Sequence, residues 1–329
     1  MAPMPASRLS ALAVTVVVAT IWSACPAVAL QGAAAGSAPL AGRVAYGSFP
    51  SPSLGRDVGY AISLPPSYDR DSTRRYPLVL FLHGLFNSEK DWEGRGIQAQ
   101  IDRLRSEGRI GEFIVAVPYG ANSFYLNAKD GTKYEDAIVR DFLPFVDKTY
   151  RTTAKPSERV IQGISMGGFG ALVIAFKHPE MFTAVAAHCA AIFEELPKPP
   201  AAATDRRGSY RYEIATKIFG NPPDDAFFRA NNPLGLIESR AGRIKGMKIY
   251  FDVGEQDRYG FATGNRSFDE ALTKAGCASR VPPHDGRPRV VVSRRKERRG
   301  VRVRVEGARG KVEALVLAVW CIGRLGCPG

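Results

Sequence analysis

Ser165 is the side chain whose setting is built for covalent chemistry. Gly163-Ile164-Ser165-Met166-Gly167 follows the β-branched pair Val160-Ile161 and precedes the apolar, helix-forming run Ala171 to Lys177. Strand, glycine-flanked serine and helix, in that order, make the context of a G-x-S-x-G nucleophile elbow. The bend is so sharp that Gly163 and Gly167 stand where any side chain would clash. It also lifts the Ser165 hydroxyl to the end of a strand, over the positive end of the next helix. A hydroxyl in that position attacks a carbonyl carbon once it has three helpers. These are a base, an acid that orients the base, and N–H donors for the developing oxyanion.

The acid candidate is Asp257, in Gly254-Glu-Gln-Asp257, just past the strand Lys248 to Val253. Asp252 is the rival, but it lies within that strand. Among the four histidines, His83 opens the loop after an apolar strand and reads as a shaper of the oxyanion loop. His178 ends the helix after the elbow, where it favours the helix dipole. His188, beside Cys189 in an apolar strand, reads as a satisfied core histidine. His284 is the one histidine after Asp257, and the chain order of nucleophile, acid and base makes it the base by position. The oxyanion donors should be the main-chain N–H groups of Met166, directly after the nucleophile, and Leu85.

The elements that must hold these groups follow from the apolar pattern. Val44 to Phe49 and Val58 to Leu64 read as strands. Leu78 to Leu82 and Phe113 to Val117 are continuous apolar runs, the mark of strands buried on both faces. Ala184 to Ala190 and Lys248 to Val253 complete the set. Helical spacing marks Ile97, Ile101 and Leu104, then Tyr134 to Tyr150 with a kink due at Pro144, and Asn265 to Ala275. Residues 204–246 read as a loop-and-helix insertion outside the core. Strands alternating with helices predict an α/β fold, a mostly parallel central sheet with helices on both faces. Ligands then bind beyond the carboxyl ends of the strands, where Ser165 and the loops after Leu82 and Val253 fall.

The chain has 329 residues, 45% of them apolar and 23% charged, enough for a large core. Residues 1–29 stand apart. Arg8, the uncharged run Leu9 to Trp22 and Ala27-Val28-Ala29 make a secretory signal pattern, too short for a membrane span. Trp22-Ser-Ala-Cys25 is a degenerate lipoprotein box, so membrane attachment would require lipid on Cys25. Residues 30–43 form an Ala/Gly/Ser linker. The five cysteines show no metal or disulfide spacing, and Cys189 reads as a small buried hydrophobe. The net charge of +13 does not signal a nucleic-acid partner, because +9 of it lies between Arg280 and Gly329 and that stretch lacks aromatics interleaved for base stacking.

With these residues in view, the chain resembles the esterase branch of the α/β-hydrolases. That branch includes esterase D and S-formylglutathione hydrolase, tributyrin and feruloyl esterases and the mycolyltransferases. Matching segments are Leu64-Pro-Pro-Ser-Tyr68, Tyr76 to Gly84 with Trp92, Asn122-Ser-Phe-Tyr125, Phe142 to Tyr150 and Gly163 to Gly168. The likeness spans 44–276. It implies the α/β-hydrolase fold, no cofactor, no metal and acyl-ester chemistry on small-molecule or carbohydrate esters. It also places the oxyanion hole at Leu85 and Met166 and substrate contacts at His83, Gly84, Trp92, Ser123 and Tyr125.

Beyond Gly276 the pattern breaks. The family would supply a strand, a Gly-Gly-His-Asp-Trp-like turn bearing the base and a closing helix. Here Val281-Pro-Pro-His-Asp285 is the nearest remnant, followed by an Arg/Val/Gly-rich end. The segment 277–329 therefore reads as an atypical basic tail, disordered or the product of a shifted reading frame. The expected activity is that of an exported serine carboxylesterase. The alternatives are an acyltransferase of the mycolyl type and a catalytically impaired or non-catalytic binding protein on a hydrolase scaffold.

Overall fold

The computed structural model describes residues 41–200, 202, 204–254 and 257–277. All of them belong to the compact unit Pro39–Gly329, and the leader, most of the linker, the segment 278–329 and His284 lie outside the described residues.

Seven strands form one sheet: β1 (Arg43–Ser51), β2 (Arg56–Leu64), β3 (Leu78–Leu82), β4 (Ile114–Pro118), β5 (Arg159–Ile164), β6 (Ala184–His188) and β7 (Lys248–Asp252). Their spatial order is β1-β2-β4-β3-β5-β6-β7. β1 and β2 pair antiparallel, β2 joins β4 antiparallel, and every other pairing is parallel. The helices are α1 (Asp91–Gly94), α2 (Ile97–Ser106), α3 (Tyr134–Asp136), α4 (Leu143–Thr149), α5 (Met166–Lys177), α6 (Arg206–Phe219), α7 (Asp225–Ala230), α8 (Pro233–Ile244) and α9 (Phe261–Lys274). Among the described residues no helix is long and apolar enough to cross a membrane.

Alternation along the strands splits the core into two layers. Leu78, Leu80 and Leu82 face α4, α5, α8 and α9, whereas Val79 and Phe81 face Trp92 and the Ile97, Ile101 and Leu104 stripe of α2. The predicted α/β architecture is the observed one.

Three local expectations change. From Tyr134 to Thr149 the chain is helical without a break, as expected, but ahead of Pro144 it widens into a π-helical stretch, Ala137–Phe142. Pro144 has no N–H to donate and crowds the preceding turn, and the wider π turn ahead of it accommodates both before the chain continues as α4. β6 stops at His188 rather than Ala190, because Cys189 takes a φ of 44°. Residues 204–246 are not merely an insertion: Leu236, Ile237 and Ile244 of α8 enter the main core.

Candidate active site

Ser165 sits at φ 56° and ψ −116°, between β5 and α5. This backbone region is costly for any residue with a side chain, so the surroundings must hold it. They do so through main-chain bonds. The Ser165 N–H donates to the His188 carbonyl at 2.8 Å, and the Ser165 carbonyl accepts from Phe169 at 3.0 Å and Ala191 at 3.1 Å. A Cβ on Gly163 would lie 2.1 Å from the Gly167 carbonyl oxygen, and one on Gly167 would lie 2.0 Å from that of Leu82. The two glycines of the motif are thus demanded by backbone packing on both sides of the serine.

The loop after β3 lies against the elbow. Ser165 and Leu85 line both a cavity of about 330 Å³ and a neighbouring cleft of about 180 Å³, and Met166 lines the former. Met166 opens α5, where main-chain N–H groups have no partner within the helix. Neither its N–H nor that of Leu85 meets an acceptor among the described hydrogen bonds. The loop itself is fixed by His83 and Asn122. The Gly120 N–H donates to His83 Nε2 at 2.9 Å, so the ring proton resides on Nδ1 and goes to the Gly84 carbonyl at 2.8 Å. Burial holds the His83 pKa below its ordinary value. Asn122 Oδ1 accepts the Phe86 N–H at 2.9 Å, which secures the residue after Leu85 in a left-handed conformation at φ 63°.

Asp257 shares the smaller cleft with Ser165 and Gly84. Its Oδ1 accepts the Tyr259 N–H at 3.1 Å and its Oδ2 accepts the Phe261 N–H, so the carboxylate organises the start of α9. This explains why α9 begins four residues before the sequence expectation. Asp252 takes a different partner: its Oδ2 lies 3.0 Å from His188 Nδ1, while Gln162 Nε2 donates to His188 Nε2 at 3.0 Å. His188 is 1% exposed and alternates to the α2 side of the sheet with Ile164. It is the satisfied core histidine that the sequence suggested, with no reach toward Ser165. His178 closes α5 and bonds Glu135 Oε1 at 3.0 Å. His284 lies outside the described residues.

Four expected substrate contacts do not reach either pocket surface. Trp92 is 2% exposed, with its ring 5.3 Å from Phe81 in an edge contact and Nε1–H donated to Gln98 at 3.3 Å. Tyr125 is fully buried, wedged where a side chain on Gly120 or Gly170 would strike its ring. Ser123 Oγ donates to the Gly120 carbonyl at 2.5 Å and accepts the Tyr125 N–H at 3.0 Å. His83 is 2% exposed behind the loop it holds. These residues position the site from behind; only Gly84 of the five lines a cleft. Cys189 also departs from expectation, being half-buried and disulfide-bonded.

The walls of the larger cavity come from elsewhere. Phe86, Phe124, Phe193 and Phe261 supply aromatic surface, and Arg207, Tyr210 and Arg211 of α6 face it from the other side. Phe86 is 70% exposed and packs on Tyr210 with ring centroids 5.3 Å apart. Burial, then Glu213, pushes the Tyr210 hydroxyl up to about 12. Phe193 and these α6 residues fall in 193–246, the stretch that the sequence reads as shaping the pocket, although it names no ligand.

Comparison with known proteins agrees with this geometry. The family model described as "Putative esterase" matches residues 51–286. An endo-1,4-beta-xylanase/feruloyl esterase of Xylanibacter ruminicola is 30% identical over 149 residues, 43% of this chain and 20% of that protein. An esterase of Mycobacterium tuberculosis is 26% identical over 256 residues, 71% of this chain and 53% of that protein. The chain therefore covers about half of the mycobacterial relative and a fifth of the Xylanibacter one. Among solved structures, a ferulic acid esterase superposes with a TM-score of 0.60 at 25% identity, over 73% of this chain and 88% of its own. An S-formylglutathione hydrolase from Agrobacterium tumefaciens shares the fold at a TM-score of 0.58 and 18% identity, over 87% and 97%. A strained serine between two backbone-locked glycines, on a sheet of this order, is accompanied by a family match across most of the chain, and the chain belongs to that esterase family of α/β-hydrolases.

Proposed function

We propose that the protein is an exported serine carboxylesterase that hydrolyses acyl esters through a covalent acyl-enzyme. Ser165 Oγ attacks the ester carbonyl carbon and its proton passes to His284, whose imidazole Asp257 orients. Main-chain N–H groups of Leu85 and Met166 receive the charge that develops on the carbonyl oxygen. Collapse expels the alcohol, which takes the proton from the imidazolium. Water, deprotonated by the same imidazole, then releases the carboxylic acid and restores Ser165. His284 falls within the span matched by the family model, and residues 1–29 support export.

The observation that carries this reading is the Ser165 backbone at φ 56°, on the cavity that Leu85 and Met166 also line, whose N–H groups meet no acceptor among the described residues. Treatment with a fluorophosphonate and mass-spectrometric mapping tests it directly. One adduct on Ser165 and turnover of p-nitrophenyl acetate are expected. Folded protein that stays unlabelled would show that the hydroxyl lacks an effective base, and the reading would fall.

A further inference from the structure

We propose that Arg207 and Arg211 form an oxyanion-selecting rim on the Ser165 cavity, favouring esters whose cavity-filling part carries a carboxylate or a phosphate. The proposal deepens the esterase reading and rests on it for the reaction, while its binding step stands alone.

The two residues lie one turn apart on α6, and both line the cavity that Ser165 enters. Like charges at that spacing weaken a helix, so the pair needs a compensating reason. Asp257 and Asp205 act on Arg211 from a distance without pairing with it. Among the described residues neither arginine forms an ion pair: Glu213 takes Lys217 instead, and Asp205 accepts the Gly208 N–H as the N-cap of α6. Arg207 Nη1 donates to the Arg258 carbonyl at 2.9 Å and Arg211 Nη2 to the Tyr259 carbonyl. A guanidinium has five N–H donors, and among the described residues each of these two makes a bond from one of them. Arg211 is half-buried with its guanidinium 5.7 Å from the Phe193 ring centroid. Its pKa is lowered by burial first and by the Arg207 charge second, with Asp257 and Asp205 acting in the opposite direction.

Tethering the 258–259 main chain needs one donor from each side chain. It does not account for two adjacent cations on an otherwise apolar, aromatic chamber. A planar fork facing an apolar pocket is the arrangement that takes a bidentate oxyanion attached to an apolar body.

The test is equilibrium binding to the full chain of three matched ligands: phenylacetate, phenylacetamide and benzyl phosphate. At low ionic strength at least one anion should bind about tenfold or more tightly than the amide, as expected for a charge-assisted contact. The preference should shrink with salt and collapse toward parity in Arg207→Gln/Arg211→Gln, with Arg211→Lys retaining part of it. The stronger of the two anions identifies the group. Equal binding of anion and amide, no binding of any of the three, or a preference that survives in the double variant would each overturn the proposal. Fluorophosphonate labelling of Ser165 in the wild-type protein reports on the esterase reading separately, so the two can fail independently.

Discussion

The inner and outer walls of the cavity are held by different means. The inner wall, β5 through α5, is main chain packed on main chain: every residue from Met166 to Phe176 is buried, and the glycines leave no space for a methyl group. The outer wall, α6 with residues 258–261, is tied by two arginine side chains to backbone carbonyls and by ring contacts such as Phe86 on Tyr210. The contrast separates two tasks. Backbone packing fixes where the proposed nucleophile stands, and side chains on a helix line the space before it.

The comparison breaks first at Ser165. Ser165→Ala should lower ester turnover by about a thousandfold or more while leaving the fold intact, measured by p-nitrophenyl acetate hydrolysis and thermal unfolding. A second variant sharpens the point about stored strain. Ser165→Gly should be equally inactive yet more stable by about 1 kcal/mol, because glycine adopts φ 56° freely. A denaturant midpoint no higher than that of the alanine variant would show that the backbone is not strained.

Gly167→Ala asks whether the inner wall can give at all. Its methyl would meet the Leu82 carbonyl at 2.0 Å, and a loss of about 3 kcal/mol or more is expected. Gly242→Ala in α8 is the control, with nothing within 4 Å of the added carbon and an expected gain of about 0.5–1 kcal/mol. Similar unfolding midpoints for the two would remove the distinction.

The loop beside the elbow should be pH-sensitive through His83. Its folded pKa is depressed by burial from 6.5, so the unfolded chain binds the proton more readily. The stability it contributes is complete above 6.5 and is lost as pH falls below that value. Urea titrations should show a midpoint that drops across this interval, and a shallower drop in His83→Asn. The smallest effect belongs to the outer wall. The Tyr210 hydroxyl is buried and has no hydrogen-bond partner among the described residues, so Tyr210→Phe should leave stability unchanged or raise it by up to about 1 kcal/mol.

The same division explains what the sequence revealed. β3 and β4 were legible because strands buried on both faces must be apolar throughout, as Leu78–Leu82 and Ile114–Val117 are. The elbow was legible because backbone packing leaves glycine as the residue that fits at 163 and 167. Aromatic residues near the motif were less informative. Trp92 and Tyr125 fill the core, whereas Phe86 and Phe193 face the cavity, and a large apolar ring is suited to either place. The outer wall arises from α6, more than 40 residues from the elbow, and spacing along the chain does not say which of its side chains will face the cavity. The π-helical stretch before Pro144 was signalled by the proline, but its form depended on a choice between kinking and widening that spacing does not record.

Phe86 follows Leu85 in the chain, and its ring leans on Tyr210 of α6. A guest that wedges α6 outward would therefore withdraw a prop from the loop that carries Leu85. Occupancy of the chamber beside α6 would then be felt, across one aromatic contact, in the loop that follows β3.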